Sequence, residues 1–245
     1  MNYSSIKREI VFTMNKNKIR FLVVSLLYII ISLLKVSNIK SFENNNSGIN
    51  LVFELFKGVG YFDSYIEVTF PYIWLFTNTV IIYIIAVNCS IDIKNSCISI
   101  ITRCGKSNYW ISKTISAIMT VIVYYLLIFT IAYIIQVLLI DSNLIIDIKL
   151  IVLYISTTIM IIVIGNCLSI KIDYKYVILI LVGILAVSVF INNSYFPGQQ
   201  SIILRHMPYD KVHKLSFSKS IIYNSIITGI GFIFGYKLSS KKDIL

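Results

Sequence analysis

Charge is scarce in this chain. Only 13% of its 245 residues are Asp, Glu, Lys or Arg, about half the share of an average soluble domain. Hydrophobic residues make up 57%, and the mean hydropathy is +0.83. The Ile, Leu and Val come in long blocks instead of amphipathic stripes, which places the chain among integral membrane proteins. The net charge of +11 is scattered between those blocks. It forms no patch for a polyanion, so nucleic acid is not an implied partner. The excess of Lys, Asn and Ile suggests an AT-rich bacterial genome.

Several chemistries are missing. No Asp, Glu, Lys, Arg or His falls in the apolar centre of any block. Ion-coupled carriers and proton pumps need such groups at membrane depth, so secondary transport is disfavoured. There is no H-E-x-x-H, no paired-glutamate helix and no Ser/His couple within the blocks, which argues against an intramembrane enzyme. Gly105-Lys106-Ser107 resembles the tail of a phosphate-binding loop, but the position of that loop's first glycine is Ile100. The chain is therefore expected to hold no nucleotide, no catalytic residue and no cofactor of its own. Of the four cysteines, Cys97 and Cys104 are seven apart, too loose for a metal pair. All four, Cys89 and Cys167 included, read as free thiols.

What is present is length. A bilayer core of about 30 Å takes roughly 20 apolar residues in a helix. Six segments meet or approach this, at about 19–36, 70–91, 115–140, 150–170, 176–196 and 219–236. The whole chain, 1–245, then forms one all-α transmembrane domain, with tight turns at 141–149 and 171–175. With both termini in the cytoplasm, the inner segments carry fourteen of the 22 Lys and Arg but only four of the 11 acids, as the positive-inside rule requires. The four cysteines then lie at or near the reducing face.

Three elements flank the spans. Tyr3, Ile6, Ile10 and Met14 recur at helical spacing beside Lys7, Lys16 and Lys18, predicting an amphipathic helix in the inner interface. Ile49, Val52, Phe53 and Phe56 predict a second interfacial helix outside, with Asn50, Glu54 and Lys57 facing away. The last outer loop opens on the turn signal Phe196-Pro197-Gly198 and carries Arg205, His206, Lys211, His213, Lys214 and Lys219. Those cations suit either a solvated loop, the favoured reading, or contact with anionic groups.

Within the spans the polar groups are neutral: Thr77, Asn78, Thr79, Asn88, Gln136, Thr157, Thr158 and Ser188. Hydrogen bonding between helices is their ordinary use. With Tyr124, Tyr125 and Tyr133 they also make a wall that tolerates an amphipathic passenger, so Thr77, Asn78, Tyr125 and Gln136 are the candidate substrate path.

The inner loop between the second and third spans holds the sharpest local pattern. Gly105 fits the left-handed position that ends a helix, Ser107 or Asn108 fits the N-cap of the next, and Tyr109 and Trp110 fit interfacial depth. Residues 103–110 are then a basic helix–turn–helix tip in the cytosol. The series Arg103, Gly105, Tyr109, Trp110, Ser112, Lys113 resembles the corresponding loop of type-2 ABC transporter permeases. That family also has six spans, both ends inside, an amphipathic N-terminal helix and a re-entrant or interfacial segment between spans five and six. Among such permeases the small size, without a large outer domain, is similar to those of bacteriocin-immunity and peptide-export systems.

The resemblance implies a coupling helix, formed by Arg103, Cys104, Gly105, Lys106, Ser107, Asn108, Tyr109 and Trp110, that docks on a separate ABC ATPase. ATP and Mg would be bound on that partner. A second permease copy or a paralogue would complete a path for an amphipathic substrate (a peptide, bacteriocin or lipid-like drug) in the bacterial cytoplasmic membrane. The rival expectations are a non-transporting immunity or sensor protein that binds a peptide through its outer loops, and a facilitator independent of nucleotide.

Overall fold

In the computed structural model the described residues are 3–42, 50–60, 71–95, 105–140, 147–191, 193–207, 209–210 and 215–241. They form seven α-helices: α1 (Tyr3–Phe42), α2 (Leu51–Phe56), α3 (Tyr72–Asn95), α4 (Lys106–Ile140), α5 (Ile148–Leu168), α6 (Tyr174–Ser188) and α7 (Phe217–Lys241). Two short 3-10 turns, Gln199–Ser201 and Ile203–Arg205, lie between α6 and α7. Among the described residues the only bridge pairing is His206 with Leu215. Four helices contain stretches long and apolar enough to cross a membrane: Ile6–Ile39, Lys106–Ile140, Ile148–Leu168 and Phe217–Ser240. Tyr72–Asn88 and Tyr174–Ser188 are shorter apolar helices. Each of the six expected segments therefore contains a helix.

α4 is the hub and packs against α1, α2, α3, α5 and α7. The pairings between helix ends fix their directions. Ser116, near the start of α4, bonds Thr13 near the start of α1, and Trp110 stacks edge-on with Phe232 near the end of α7. Toward the other end of α4, Gln136 meets Val52 of α2. Near the same end, Tyr154 of α5 reaches Phe56 and Trp74 of α3 reaches Ser201. The long helices thus alternate in direction, and the start of α1 and the end of α7 lie at one end of the bundle. That end is called the basal end below, and the other the plug end.

Three expectations need correction. The separate N-terminal interfacial helix does not exist, because α1 runs unbroken from Tyr3 to Phe42. No glycine or proline interrupts that stretch. One buried stripe, Ile6, Glu9, Thr13, Asn17, Phe21, Val24, Tyr28, Ser32 and Val36, follows it at intervals of three and four. Near its start this stripe carries Glu9, Thr13 and Asn17, beside buried Ile6 and beside Met14, which packs on the core, while Lys7 and Lys18 are exposed.

The predicted outer helix shrinks to α2, whose first turn is capped by Asn50 accepting from the Phe53 amide at 3.1 Å. α2 is a wedge between α1, α3 and α4, with Leu51, Val52, Leu55 and Phe56 all buried. Glu54 does not face away either. It pairs with Lys57 at 2.8 Å and with Lys35 of α1 at 3.6 Å.

The third correction concerns the loop after α6. Its described part is only partly solvated: Tyr195, Met207 and Tyr209 are exposed, but Gln199, Gln200, Ser201, Ile202, Ile203, Arg205 and His206 are all buried. They form a plug that closes this end of the bundle. Lys211, His213 and Lys214 lie outside the described residues. The plug also explains why α6 stops at Ser188, well short of the predicted 196. Arg205 and Gln199 take the carbonyls that a continuing helix would have used. Val189, Phe190 and Ile191 stay apolar, so hydropathy alone could not see the end.

Candidate functional site

The basal corner comes first, because it carried the motif. Gly105 is exposed at φ +80°, with no atom within 4 Å of where a Cβ would sit. Its carbonyl accepts the Tyr109 amide at 3.1 Å, so α4 starts at Lys106, ahead of the predicted caps Ser107 and Asn108. Residues 106–110 are thus the first turns of the hub helix and not a separate coupling helix. Arg103 and Cys104 lie outside the described residues. Trp110 is buried and pins the corner to α7: its ring is 5.1 Å from that of Phe232, and a Cβ on Gly235 would lie 2.2 Å from its Cζ2. One turn further on, Lys113 forms a buried ion pair with Glu9 of α1. Its ammonium also lies over the Tyr109 ring, 5.7 Å from the centroid. Arg20 bridges Asn17 at 2.9 Å and Asn88 of α3 at 2.7 Å. The corner is therefore joined to α1, and α1 in turn to α3, by polar contacts.

Beside this corner a cavity of about 60 Å³ is lined by Tyr109, Trp110, Lys113, Thr114, Asn166 and Tyr174, with Ser169 at its edge. One water needs ~10–15 Å³, so the cavity exceeds a single water. Three buried polar atoms of its lining residues, Trp110 Nε1, Thr114 Oγ1 and Asn166 Nδ2, have no hydrogen-bond partner among the described residues. The Asn166 Oδ1 is used, accepting from Tyr174 at 2.6 Å. Each buried polar group without a partner costs about 1–3 kcal/mol, so the unused donors are an unresolved cost in the fold. The sequence singled out Trp110 as an interfacial ring and passed over Asn166. No local spacing joins a residue near the end of α5 to the first turns of α4.

The candidate substrate path lies deeper. Thr77, Asn78 and Tyr125 come together in one cluster at the centre of the bundle, and all are fully buried. Tyr125 donates to Asn78 Oδ1 at 2.9 Å, and the Thr158 hydroxyl sits 2.7 Å from Tyr125 and 3.0 Å from Asn78. Asn78 Nδ2 donates to the Trp74 carbonyl at 2.9 Å. Tyr124 donates to the Thr77 carbonyl at 2.9 Å, and Tyr28 bonds the Thr77 hydroxyl. Around them Phe56, Phe129 and Tyr154 stack with centroids 4.5–5.8 Å apart. Gln136 stands apart, about 16 Å further along α4 by helical rise, where it accepts the Val52 amide at 3.4 Å. The cluster locks helices together, and its residues are closed over by one another within this chain. Replacing Tyr125 by Phe removes one hydroxyl at constant shape. It is expected to cost about 1 kcal/mol, read as a small drop in the midpoint of unfolding in detergent.

At the plug end, His206 joins the loop to α7. Its Nδ1 is 3.1 Å from the Ile202 carbonyl and must donate, leaving Nε2 to accept from Ser220 at 2.9 Å. Burial lowers its pKa, and the bond to Ile202 only partly offsets that. Among the described residues no group of three His, Cys, Asp or Glu is placed to hold a metal. Compared with family models, curated proteins and solved structures, the chain matches none.

Proposed function

We infer that the chain is the transmembrane subunit of an ATP-driven exporter of the type-2 ABC permease kind, driven by a separate ATPase that docks at the Gly105–Trp110 corner. The observation that carries this reading is mechanical. The corner is exposed at Gly105 and Asn108 and bears Lys106, yet it is continuous with the one helix that touches α1, α2, α3, α5 and α7. A push there reaches the whole bundle. The resemblance of residues 103–113 to the permease loop points the same way. So does the density of cations at the basal end, which the positive-inside rule assigns to the cytoplasm.

The closed Thr77–Asn78–Tyr125 cluster bears on where a passenger goes. Among the described residues these side chains close over one another, which favours a path between two copies or between this chain and a paralogue. The long exposed apolar faces of α1 and α7, including Leu22, Leu26, Leu34, Ile226, Ile230 and Ile233, suit that contact or lipid. No covalent chemistry is assigned to the chain. The bilayer is that of a bacterial cytoplasmic membrane, and the cargo is amphipathic.

Gly105→Val forces a β-branched residue into the left-handed region, at about 1–3 kcal/mol of local strain, in a place where nothing else is displaced. Combined with Lys106→Glu, it is expected to lower export at least tenfold while the unfolding midpoint falls by only about 2–12 °C, the shift that this strain gives in a chain of this length. It is also expected to lower the yield of ATPase recovered with the purified chain. Full export by the double variant, with the ATPase still bound, sinks the docking role.

A further inference from the structure

We propose that Arg20 anchors a phospholipid in the basal leaflet and takes its headgroup phosphate on the free side of the guanidinium. The Nη1 group donates to Asn17 Oδ1 at 2.9 Å and to Asn88 Oδ1 at 2.7 Å. Those bonds use both Nη1 protons and leave the protons of Nε and Nη2. Among the described residues nothing bonds Nε or Nη2, and on this part-buried side chain both keep accessible surface. Nε and Nη2 together form the fork that pairs bidentately with a phosphate or carboxylate. Asn17 and Asn88 are buried and come from α1 and α3, so two helices hold that fork in one orientation.

Charge and position select the ligand. No carboxylate lies within ion-pair distance of Arg20 among the described residues. Glu9, the acid of α1, is about 16 Å away by helical rise and is held by Lys113. Lys16 and Lys18 on either side of Asn17 add positive charge. The guanidinium therefore lacks a neutralising anion within the chain. It also stands at the foot of the uncharged run Phe21–Leu34, which rises about 21 Å to Lys35. Val23 and Leu27, at i+3 and i+7 on the same face, are exposed, and so is Ile19. A ligand that fits presents acceptor oxygens to the fork and hydrocarbon to those side chains. A phospholipid does both, whereas inorganic phosphate or a partner's acidic side chain does only the first. This holds whatever the chain transports.

The test uses the full-length chain in detergent and native mass spectrometry, which resolves bound lipids one at a time. Phosphatidylglycerol is titrated beside a diacylglycerol with the same chains, and sodium phosphate is added in a separate series. The first phosphatidylglycerol is expected to bind at least about fivefold more tightly than the diacylglycerol, a preference within reach of one hydrogen bond to a charged group, and to resist displacement by phosphate. Arg20→Met removes the fork at similar length and is expected to abolish the preference. Lys18→Met removes the same charge from an exposed neighbouring position and is expected to leave the preference within about twofold. Asn88→Leu keeps the arginine and its charge but frees the fork, and is expected to weaken the preference about threefold. Equal binding of the two lipids by the parent, displacement by inorganic phosphate, a loss in Lys18→Met as large as in Arg20→Met, or no loss in Asn88→Leu would each overturn the assignment. The first two are read on the unaltered chain and need no variant to fold.

Discussion

Arg205→Ala is expected to destabilise the protein by about 3–5 kcal/mol, a large part of the total stability of a typical domain. The side chain is fully buried. Its guanidinium donates to the carbonyls of Ser188 at 2.8 Å, Val189 at 2.5 Å and Val59 at 3.3 Å. These acceptors belong to two different segments, the end of α6 and the irregular stretch after α2. Ser188 keeps a second donor in Gln199 at 3.2 Å, so removal orphans mainly Val189 and Val59. Two buried orphans at about 1–3 kcal/mol each, plus a hole where the guanidinium stood, account for the figure. Arg205→Lys should recover only part of the loss, because one ammonium cannot span both segments with the same fork. Thermal unfolding in detergent measures both variants. An Ala variant within 1 kcal/mol of the parent, a margin typical of exposed positions, would show that the plug is not held by this residue.

Gly235→Val is expected to be the second largest, at about 1–3 kcal/mol, the usual cost of overpacking. α7 approaches α4 so closely here that a Cβ would lie 2.2 Å from Trp110 Cζ2 and 2.8 Å from Cε2 and Cη2. The indole must turn toward the adjoining cavity or the end of α7 must move off the hub. In a Trp74→Phe background, Trp110 emission should shift to the red as water reaches the ring. An unchanged spectrum with an unchanged melting point would mean that α7 does not bear on Trp110.

The four long apolar helices and the two shorter ones were legible because hydropathy in blocks survives any detail of packing. Their ends were less so, and α6 shows why. It stops at Ser188 because Arg205 and Gln199, 17 and 11 residues later, bond its last carbonyls, a long-range cause that no local window contains. The same holds for the plug. Its cations looked like solvent-facing residues, yet Arg205 and His206 are buried by bonding backbone and Ser220. On α1 the helical period and the exposed Lys7 and Lys18 were right, but Glu9 and Thr13 also turn inward, to meet Lys113 and Ser116. In the candidate site, Thr77, Asn78 and Tyr125 were individually visible as polar groups in apolar blocks. Their junction with Thr158 is a property of the packed bundle. The left-handed Gly105 was read correctly from one residue, although it opens α4 at Lys106 instead of preceding a separate cap.

One further result follows from the dimensions of α1 and α4. At 1.5 Å per residue they measure about 60 and 52 Å, against about 40–45 Å for a bilayer with its headgroups. Neither rod can stand upright and stay immersed, so each must lean or protrude. Because Glu9 clasps Lys113 near one extremity and the two rods lie flank to flank, they cannot lean independently. The pair behaves as a single spar, and a tilt imposed on its protruding stub sweeps the far extremity sideways by a proportionate arc.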